Sequence, residues 1–199
     1  LPAGRREAAE SAVGELVAGL ERLKRARVGA LVILQGEIDL LSVATHRGVR
    51  IDAPLRSETL VALSVPHAVN TAHDGAILVQ DFCIARAGII CPLTEQQLDP
   101  RFGTRHRAAI GATEETDALA LVVSEERGEL RLVQHGRMSE ALRVSELEAR
   151  ITAWLTTPRV EATRAPAGAG ESRVDLSTTT EVRTTDGSRV DLERSALLG

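Results

Sequence analysis

The sequence predicts an α/β fold, in which helices pack on the faces of a central β-sheet. Apolar runs at 30–34, 75–80 and 118–123 lack alternation with polar residues, which is typical of strands covered on both faces. Segments with helical character lie between and around these runs. With 199 residues, of which 43% are hydrophobic and only 2% aromatic, the chain is long enough for one domain with an aliphatic core.

The first helix is predicted to begin at Ser11, a residue type favoured as an N-cap. Residues 1–10 are polar and alanine-rich, and we expect them to be frayed. Apolar residues then recur at spacings of three and four between Val13 and Leu23, and basic residues follow, as suits the C-terminal end of a helix. We expect this helix to pack on the sheet; a helix that pairs with a second copy is the alternative.

The remaining elements follow from short apolar runs and the turn residues between them. We predict strands at 30–34, 38–43 and 75–80, a short helix at 57–63, a turn and return over 81–87, and an apolar continuation at 88–93. We then predict a loop at 94–103, a helix at 105–114, strands at 118–123 and 130–133 joined by a turn at 124–128, and a last helix at 144–155.

Pro158 is predicted to end the packed domain, which would span residues 11–157. Residues 158–199 are rich in Thr, Ser, Arg, Gly and acidic residues, and we expect a flexible or disordered tail. Within it, the pentapeptide Ser-Arg-Val-Asp-Leu occurs at 172–176 and again at 188–192. A duplicated peptide motif, a weak strand pair and a chance repeat all remain open for it.

Composition limits the function classes. A net charge of −4 argues against a nucleic-acid surface driven by bulk charge. Cys83 and Cys91 are more consistent with two buried thiols in a reducing cytosol than with one disulfide. No secretory signal or 18-residue apolar run is present. We expect a cytoplasmic domain, and because the sequence starts at Leu1, tethering to the cell membrane by an upstream segment is left open.

The stretch His73-Asp74-Gly75-Ala76 opens an apolar run. An Asp-Gly pair is commonly just a turn. As a site, the glycine would let a ligand approach the backbone, Asp74 would polarise a hydroxyl, and His73 would bind a divalent ion.

The stretch Gly103-Thr104-Arg105-His106-Arg107 opens a helical pattern. A solvated run of surface charge is the plain interpretation. Phosphate binding is favoured by the free N–H groups of a helix start and by the bidentate donors of arginine. Ser124-Glu125-Glu126 ends an apolar strand and is either a polar hairpin tip or a group that contacts phosphate and metal.

Together, four stretches resemble the diadenylate cyclase (DAC) domain family, in family order: 27–33, 73–77, 103–111 and 116–126. The Asp-Gly-Ala and Arg-His-Arg signatures are specific in combination and weak alone. The resemblance is greatest to the single-domain, membrane-tethered type. It implies a mixed central sheet, and the condensation of two ATP molecules to cyclic di-AMP with release of two pyrophosphates. Each subunit would hold one ATP, so catalysis would need a homodimer or higher oligomer with two sites face to face.

The resemblance also implies the roles of individual residues. Those with a catalytic role are Asp74, Arg105, His106 and Arg107. Those that bind ATP are Gly75, Ala76, Ile90, Cys91, Thr104, Arg105, His106, Ser124 and Glu125. Those that hold a divalent metal, Mn²⁺, Mg²⁺ or Co²⁺, are His73, Asp74 and Glu125.

The chain departs from the family near Ile90, where members often carry an aromatic residue that flanks adenine. Apolar contact with the base remains, but stacking is lost. This departure motivates an alternative, a nucleotide-binding regulatory module that no longer cyclises ATP. A structural interaction domain with the tail as its working part is a third hypothesis. A regulatory protein partner is left open, and a nucleic-acid partner is not expected.

Overall fold

A seven-stranded mixed β-sheet with the strand order β2-β4-β3-β1-β5-β6-β7 organises the computed structural model, which describes residues 3–157. The helices are α1 (Ala3–Ala26), α2 (Ser57–Ser64), α3 (Thr104–Glu114) and α4 (Val144–Thr156). The strands are β1 (Ala30–Leu34), β2 (Val49–Pro54), β3 (Ala76–Gln80), β4 (Cys83–Ile89), β5 (Leu119–Val123), β6 (Leu130–Gln134) and β7 (Arg137–Met138). The predicted tail at 158–199, with its repeated pentapeptide, lies outside the described residues.

The centre of the sheet is β1, which pairs in parallel with β3 and antiparallel with β5. All other strand pairs are antiparallel, so the sheet is mixed, as the family resemblance implies. All five residues of β1 and all five of β5 are buried, which explains why their sequences do not alternate between apolar and polar residues.

Helices cover both faces of the sheet. On one face α1, α2 and α4 form an aliphatic core in which Leu16, Leu20 and Leu60 are almost completely buried. On the other face α3 packs alone, through small residues such as Ala109 and Ala112. Small side chains let α3 approach the backbone of the segment after β4 closely. A β-carbon at Gly111 would collide with the carbonyl oxygen of Pro92.

The predicted strand at 38–43 is wrong. The segment instead contains a 3₁₀ turn, Leu40–Ser42, whose N-cap Asp39 accepts a hydrogen bond from the Leu41 N–H. The Asp117 carboxylate accepts the N–H groups of Glu37 and Ile38, both at 2.9 Å, so the backbone bonds that a strand would need are made to a side chain.

The second strand of the chain is instead β2, Val49–Pro54, which was not predicted from the sequence. It is an edge strand, and all of its residues are exposed or half-buried. Edge strands tolerate charged residues and proline. Because this segment contains Arg, Asp and Pro, it has no continuous apolar run that would predict a strand.

The first helix begins at Ala3, eight residues before the expected N-cap at Ser11, so residues 3–10 are helical rather than frayed. Ala9 is buried, and Arg6 and Glu10 form an i,i+4 ion pair. The other helix predictions are confirmed to within about two residues. Both cysteines are free thiols, as expected, and Cys91 is buried, but the predicted burial of Cys83 is wrong, because Cys83 lies exposed at the start of β4. Across residues 3–157, no helix is both long and apolar enough to cross a lipid bilayer.

Candidate functional site

A cavity of about 310 Å³ lies where α3 begins and where β1 and β3 begin. Its lining residues are Leu31, Asp74, Gly75, Ala76, Ile89, Ile90, Cys91, Leu93, Thr104, Arg105 and Ala108. The two stretches singled out in the sequence therefore meet here, although about thirty residues separate them. The volume falls within the range of small-molecule sites, and the lining combines apolar walls with a few charged groups, as such sites do.

Asp74 is placed by a 3₁₀ turn, Thr71–Asp74, which is fastened to the end of α2. The fastening residue is Asn70, whose amide donates to the carbonyl oxygens of Ala62, Leu63 and Val65 at 2.8–3.3 Å. The Asn70 side-chain oxygen also accepts the Ala72 N–H. Asn70 was not predicted as part of the site, although an asparagine at the N-cap of a short turn is a recognisable signal.

His73 lies beside Asp74, with its Nε2 atom 3.0 Å from Asp74 Oδ1. Its Nδ1 atom contacts the carbonyl oxygen of Asn70. A carbonyl only accepts, so Nδ1 carries a proton, and Nε2 is the nitrogen left to face Asp74 or a metal ion. Metal-binding histidines typically donate their other ring N–H to such a carbonyl.

The donor chemistry of this pair fits a divalent cation, because an imidazole nitrogen and a carboxylate oxygen lie side by side. Within residues 3–157, no group of three His, Cys, Asp or Glu side chains converges as a complete site. The predicted third ligand, Glu125, forms an ion pair with Arg105. Two protein ligands suffice where substrate phosphates supply the rest, which is how Mg²⁺ is commonly held.

Gly75 follows Asp74 and packs directly against β4. A β-carbon at Gly75 would collide with the backbone of Gly88. Gly88 has φ +72° and lies where the register between β3 and β4 shifts, so it forms a bulge under the turn. Gly75 has an extended backbone, so close approach of β4, rather than a special φ angle, explains the glycine.

Arg105 reaches towards the Asp74 turn from α3. Its Nη2 atom lies 3.5 Å from the carbonyl oxygen of His73, at the limit of a hydrogen bond. Its Nη1 atom donates to Glu125 Oε2 at 3.1 Å, and the two side chains are 27% and 56% exposed. This ion pair lies against Gly29, where a β-carbon would be 2.5 Å from Nη1 and 2.8 Å from Oε2.

The start of α3 offers backbone donors as well. Gly103 is the N-cap and provides no side-chain hydrogen bond, and the helix bonds to its carbonyl oxygen begin at the His106 N–H, so the N–H groups of Thr104 and Arg105 are left for another acceptor. Thr104, the first helical residue, lines the cavity beside Arg105. A helix start with an adjacent arginine suits an anion such as phosphate.

Five of the predicted site residues do not line the cavity: His73, His106, Arg107, Ser124 and Glu125. His106 is 6% exposed, and burial, with Arg131 as a second cause, lowers the pKa of its imidazole. Arg107 donates to the carbonyl oxygen of Thr94 at 3.3 Å, which ties α3 to the loop after β4. Ser124 is buried at the start of the β5–β6 turn. The predicted ATP contacts of His106, Ser124 and Glu125 and the predicted catalytic role of Arg107 therefore stay predictions that the described cavity does not account for.

The remaining wall of the cavity is apolar and lacks an aromatic side chain. Ile90 and Leu93 are 43% and 50% exposed, unusual for large aliphatic residues, and they are open to a flat apolar ligand. Cys91 is buried beside them, and desolvation raises the pKa of its thiol to about 12. Cys91 therefore acts here as an apolar contact rather than as a nucleophile.

A larger cavity, of about 450 Å³, lies between α1 and α4 at the other end of the sheet. It contacts Leu34 and Val79 at the ends of β1 and β3, whereas the smaller cavity contacts Leu31 and Ala76 near their beginnings. None of the predicted site residues lines it. We therefore assign the candidate site to the smaller cavity on chemistry rather than on size.

The sequence is similar to a family model and to several known proteins. Residues 17–138 match the family model DAC, described as the DisA bacterial checkpoint controller nucleotide-binding domain. The chain is 38% identical over 122 residues to diadenylate cyclase CdaS of Bacillus thuringiensis, covering 61% of this chain and 59% of that protein. It is 29% identical over 148 residues to cyclic di-AMP synthase CdaA of Bacillus subtilis, covering 74% of this chain and 53% of that protein. The chain thus spans less than two thirds of the length of these relatives.

The fold is also similar to that of solved structures. A double mutant of DacA from Staphylococcus aureus matches with a TM-score of 0.69 and 27% identity, over 74% of this chain and 97% of that one. A protein from Bacillus cereus described as a hypothetical membrane spanning protein matches with a TM-score of 0.61 and 35% identity, over 65% of this chain and 62% of that one.

Proposed function

The chain belongs to the diadenylate cyclase (DAC) family, and on that premise we propose that it condenses two ATP molecules into cyclic di-AMP and two pyrophosphates. The observation that supports this most directly is the meeting of Asp74 and Arg105 in one cavity with an apolar wall. The wall suits a nucleobase, the arginine and the helix start suit a triphosphate, and the carboxylate suits a hydroxyl nucleophile.

In the proposed reaction, the 3′-hydroxyl oxygen of one ATP attacks the α-phosphorus of the other. The bond from that phosphorus to the oxygen bridging to the β-phosphorus breaks, and pyrophosphate leaves. The hydroxyl proton passes to the carboxylate of Asp74, whose side chain is 74% exposed and therefore open to a second nucleotide. A reciprocal attack closes the ring. Arg105 and the N–H groups of α3 stabilise the charge that develops on the phosphate oxygens.

This reaction needs two nucleotides, and the described cavity suits one. We therefore propose that two copies of the chain face each other, each presenting one ATP. The exposed position of Asp74 at the cavity supports this arrangement, because a carboxylate at the surface can serve a hydroxyl that another subunit positions.

We extend the proposal to a divalent cation, Mn²⁺, Mg²⁺ or Co²⁺, held by His73 Nε2 and Asp74 Oδ1 together with the triphosphate. Such an ion, when bound, neutralises negative charge on the phosphates. Glu125 stays the predicted third ligand and would have to leave Arg105 to bind. Replacing His73 by alanine should raise the metal concentration needed for half-maximal activity; an unchanged requirement would remove His73 from the metal site.

The direct test is to incubate the purified protein with ATP and Mn²⁺ or Mg²⁺ and to quantify cyclic di-AMP by chromatography. Asp74→Asn should abolish product formation and leave the fold intact. Asp52→Asn is the matched control, because Asp52 is also an exposed aspartate, paired with Arg50 on the edge strand β2. Full activity of Asp74→Asn would refute the role of Asp74. A wild-type protein that binds ATP without turnover would favour the non-cyclising regulatory module instead.

A further inference from the structure

Three consecutive residues at the start of α3 point in three directions. Successive residues of an α-helix are rotated by about 100°, so Arg105, His106 and Arg107 cannot all face one cavity. Arg105 lines the cavity, and Arg107 donates a hydrogen bond to the carbonyl oxygen of Thr94. His106 is buried on the face of α3 that is turned towards the sheet. His106 must therefore contribute to the site through the contacts that it makes inside the protein.

His106 packs against Phe102, with ring centroids 5.1 Å apart and an interplanar angle of 50°. Phe102 immediately precedes Gly103, the N-cap of α3. Two guanidinium groups lie over the same aromatic ring, Arg131 at 5.0 Å and Arg101 at 4.9 Å from its centroid. These distances are typical of cation–π interactions, so the ring is held at the point where the helix begins.

Arg131 is an unusual residue for its position. It lies on β6 with its side chain only 6% exposed, between Leu130 and Leu132. Its Nη2 atom donates to Glu129 at 2.9 Å and its Nη1 atom to the carbonyl oxygen of Ser139 at 2.8 Å. Its Nε atom has no hydrogen-bond partner, the only such buried side-chain atom within residues 3–157.

Stability alone does not account for this arginine. Removing a guanidinium from water costs free energy, and an unpaired Nε atom adds to that cost. Replacing both partners of a buried ion pair by apolar residues of similar volume is often neutral or stabilising, so such a pair is weak evidence for a role in stability. Arg131 costs stability, and it contacts Phe102 just before the first turn of α3, the helix that carries Arg105. Such a residue is a candidate for a functional role.

We propose that Arg131 is a positioning residue for Arg105: its buried guanidinium holds Phe102 against His106 and so fixes the first turn of α3, from which Arg105 reaches the cavity. This inference rests on the proposed function, because Arg105 is taken to contact the triphosphate. It assigns His106 a positioning role through packing rather than a direct contact with ATP.

The test compares Arg131→Met, Arg131→Lys and Phe102→Leu with the wild type. Four quantities are measured: kcat for ATP, KM for ATP, the dissociation constant of 3′-deoxy-ATP, which lacks the attacking hydroxyl, and the melting temperature. Arg131→Met should lower kcat/KM by about tenfold, mainly through KM, and weaken 3′-deoxy-ATP by a similar factor, because small misplacements of binding groups are costly. Its melting temperature should fall only slightly, because Glu129 is 27% exposed and keeps a second partner in Arg127, 4.0 Å away, so that no fully buried charge is left unpaired.

Arg131→Lys retains a cation near the Phe102 ring and should recover part of the loss. Phe102→Leu changes a half-buried loop residue and should reproduce the kinetic effect even if Arg131→Met fails to fold. The matched control is Arg6→Met, a 75% exposed arginine in the first turn of α1, which should leave all four quantities unchanged.

Wild-type kinetics in Arg131→Met and Phe102→Leu would overturn the proposal, as would an activity loss that only follows a fall in melting temperature. A wild type that binds 3′-deoxy-ATP but forms no cyclic di-AMP would refute the proposed function, and the dissociation constants of the variants would still decide the role of Arg131. A wild type that binds no nucleotide would overturn both.

Discussion

Replacing Gly29 by alanine tests whether the Arg105–Glu125 pair must approach the backbone as closely as the structure places it. An added β-carbon would lie 2.5 Å from Arg105 Nη1 and 2.8 Å from Glu125 Oε2. Ordinary van der Waals contact begins near 3.4 Å, so the guanidinium must retreat by roughly 1 Å. The backbone itself accepts alanine, because Gly29 is not among the glycines with positive φ.

A displacement of about 1 Å in a group that positions substrate costs up to roughly a hundredfold in rate. We therefore expect Gly29→Ala to lower kcat/KM for ATP by about ten- to a hundredfold. Stability should change little, because the colliding atoms are the ends of two flexible, partly exposed side chains. Steady-state production of cyclic di-AMP and thermal unfolding measure the two effects separately.

Gly14→Ala is the matched control. Gly14 is an exposed glycine of α1, and a β-carbon there would meet nothing within 4 Å. Alanine should stabilise this helix by about 0.5–1 kcal/mol and leave the kinetics unchanged. If Gly29→Ala keeps wild-type kcat/KM, then Arg105 does not need its observed position, and the assignment of Arg105 to the triphosphate loses its main structural support.

Four further predictions concern the support of the site and the rest of the domain. Asn70→Ala removes three bonds to the end of α2 and should lower the free energy of unfolding by about 1–3 kcal/mol in urea titrations; unchanged stability would show that the Asp74 turn is held otherwise. A hydrogen bond from Arg143 lowers the pKa of Glu146 from 4.5 to about 2, so its stabilising contribution is full above pH 4.5 and lost as the pH falls towards 2. The melting-temperature difference between wild type and Glu146→Gln should shrink over that range, and a constant difference would contradict it. Cys83 should react with a thiol reagent at pH 8 in the native protein, whereas Cys91 should react only after unfolding; equal rates would refute the burial of Cys91. Activity per chain should rise with protein concentration across the dimerisation range, and a flat profile would argue against a shared site.

The sequence revealed those parts of the fold and site that local patterns encode. Buried strands such as β1 and β5 are continuous apolar runs, and the turn at Asp74-Gly75 and the helix start at Thr104-Arg105 have recognisable residue types. The edge strand β2 was missed because its residues are exposed, and Asn70 because its three acceptors belong to another element. An asparagine at an N-cap is a local signal, but its bonds to carbonyl oxygens of the preceding helix, at Ala62, Leu63 and Val65, are not visible in the sequence.

The Arg-His-Arg stretch shows a second limit of sequence interpretation. Three adjacent basic-capable residues suggest one phosphate-binding surface when written in a line. Helical rotation separates them, and tertiary contacts then decide their surroundings: Thr94 for Arg107, and Phe102 and Arg131 for His106. Of the three side chains, only that of Arg105 lines the cavity in the described residues.

The strand order explains why the site forms where it does. Gly29 precedes β1, the Asp74 turn precedes β3, and Glu125 follows β5, and these are three adjacent strands of the sheet. Because β1 is parallel to β3 and antiparallel to β5, the start of β1, the start of β3 and the end of β5 lie at the same end of the sheet. Ala30 is paired with Val123, which brings Gly29 opposite Ser124 and next to Glu125. The three segments that surround Arg105 are thus positioned by the central strands β3, β1 and β5. The site therefore depends on the register of the most buried strands of the sheet.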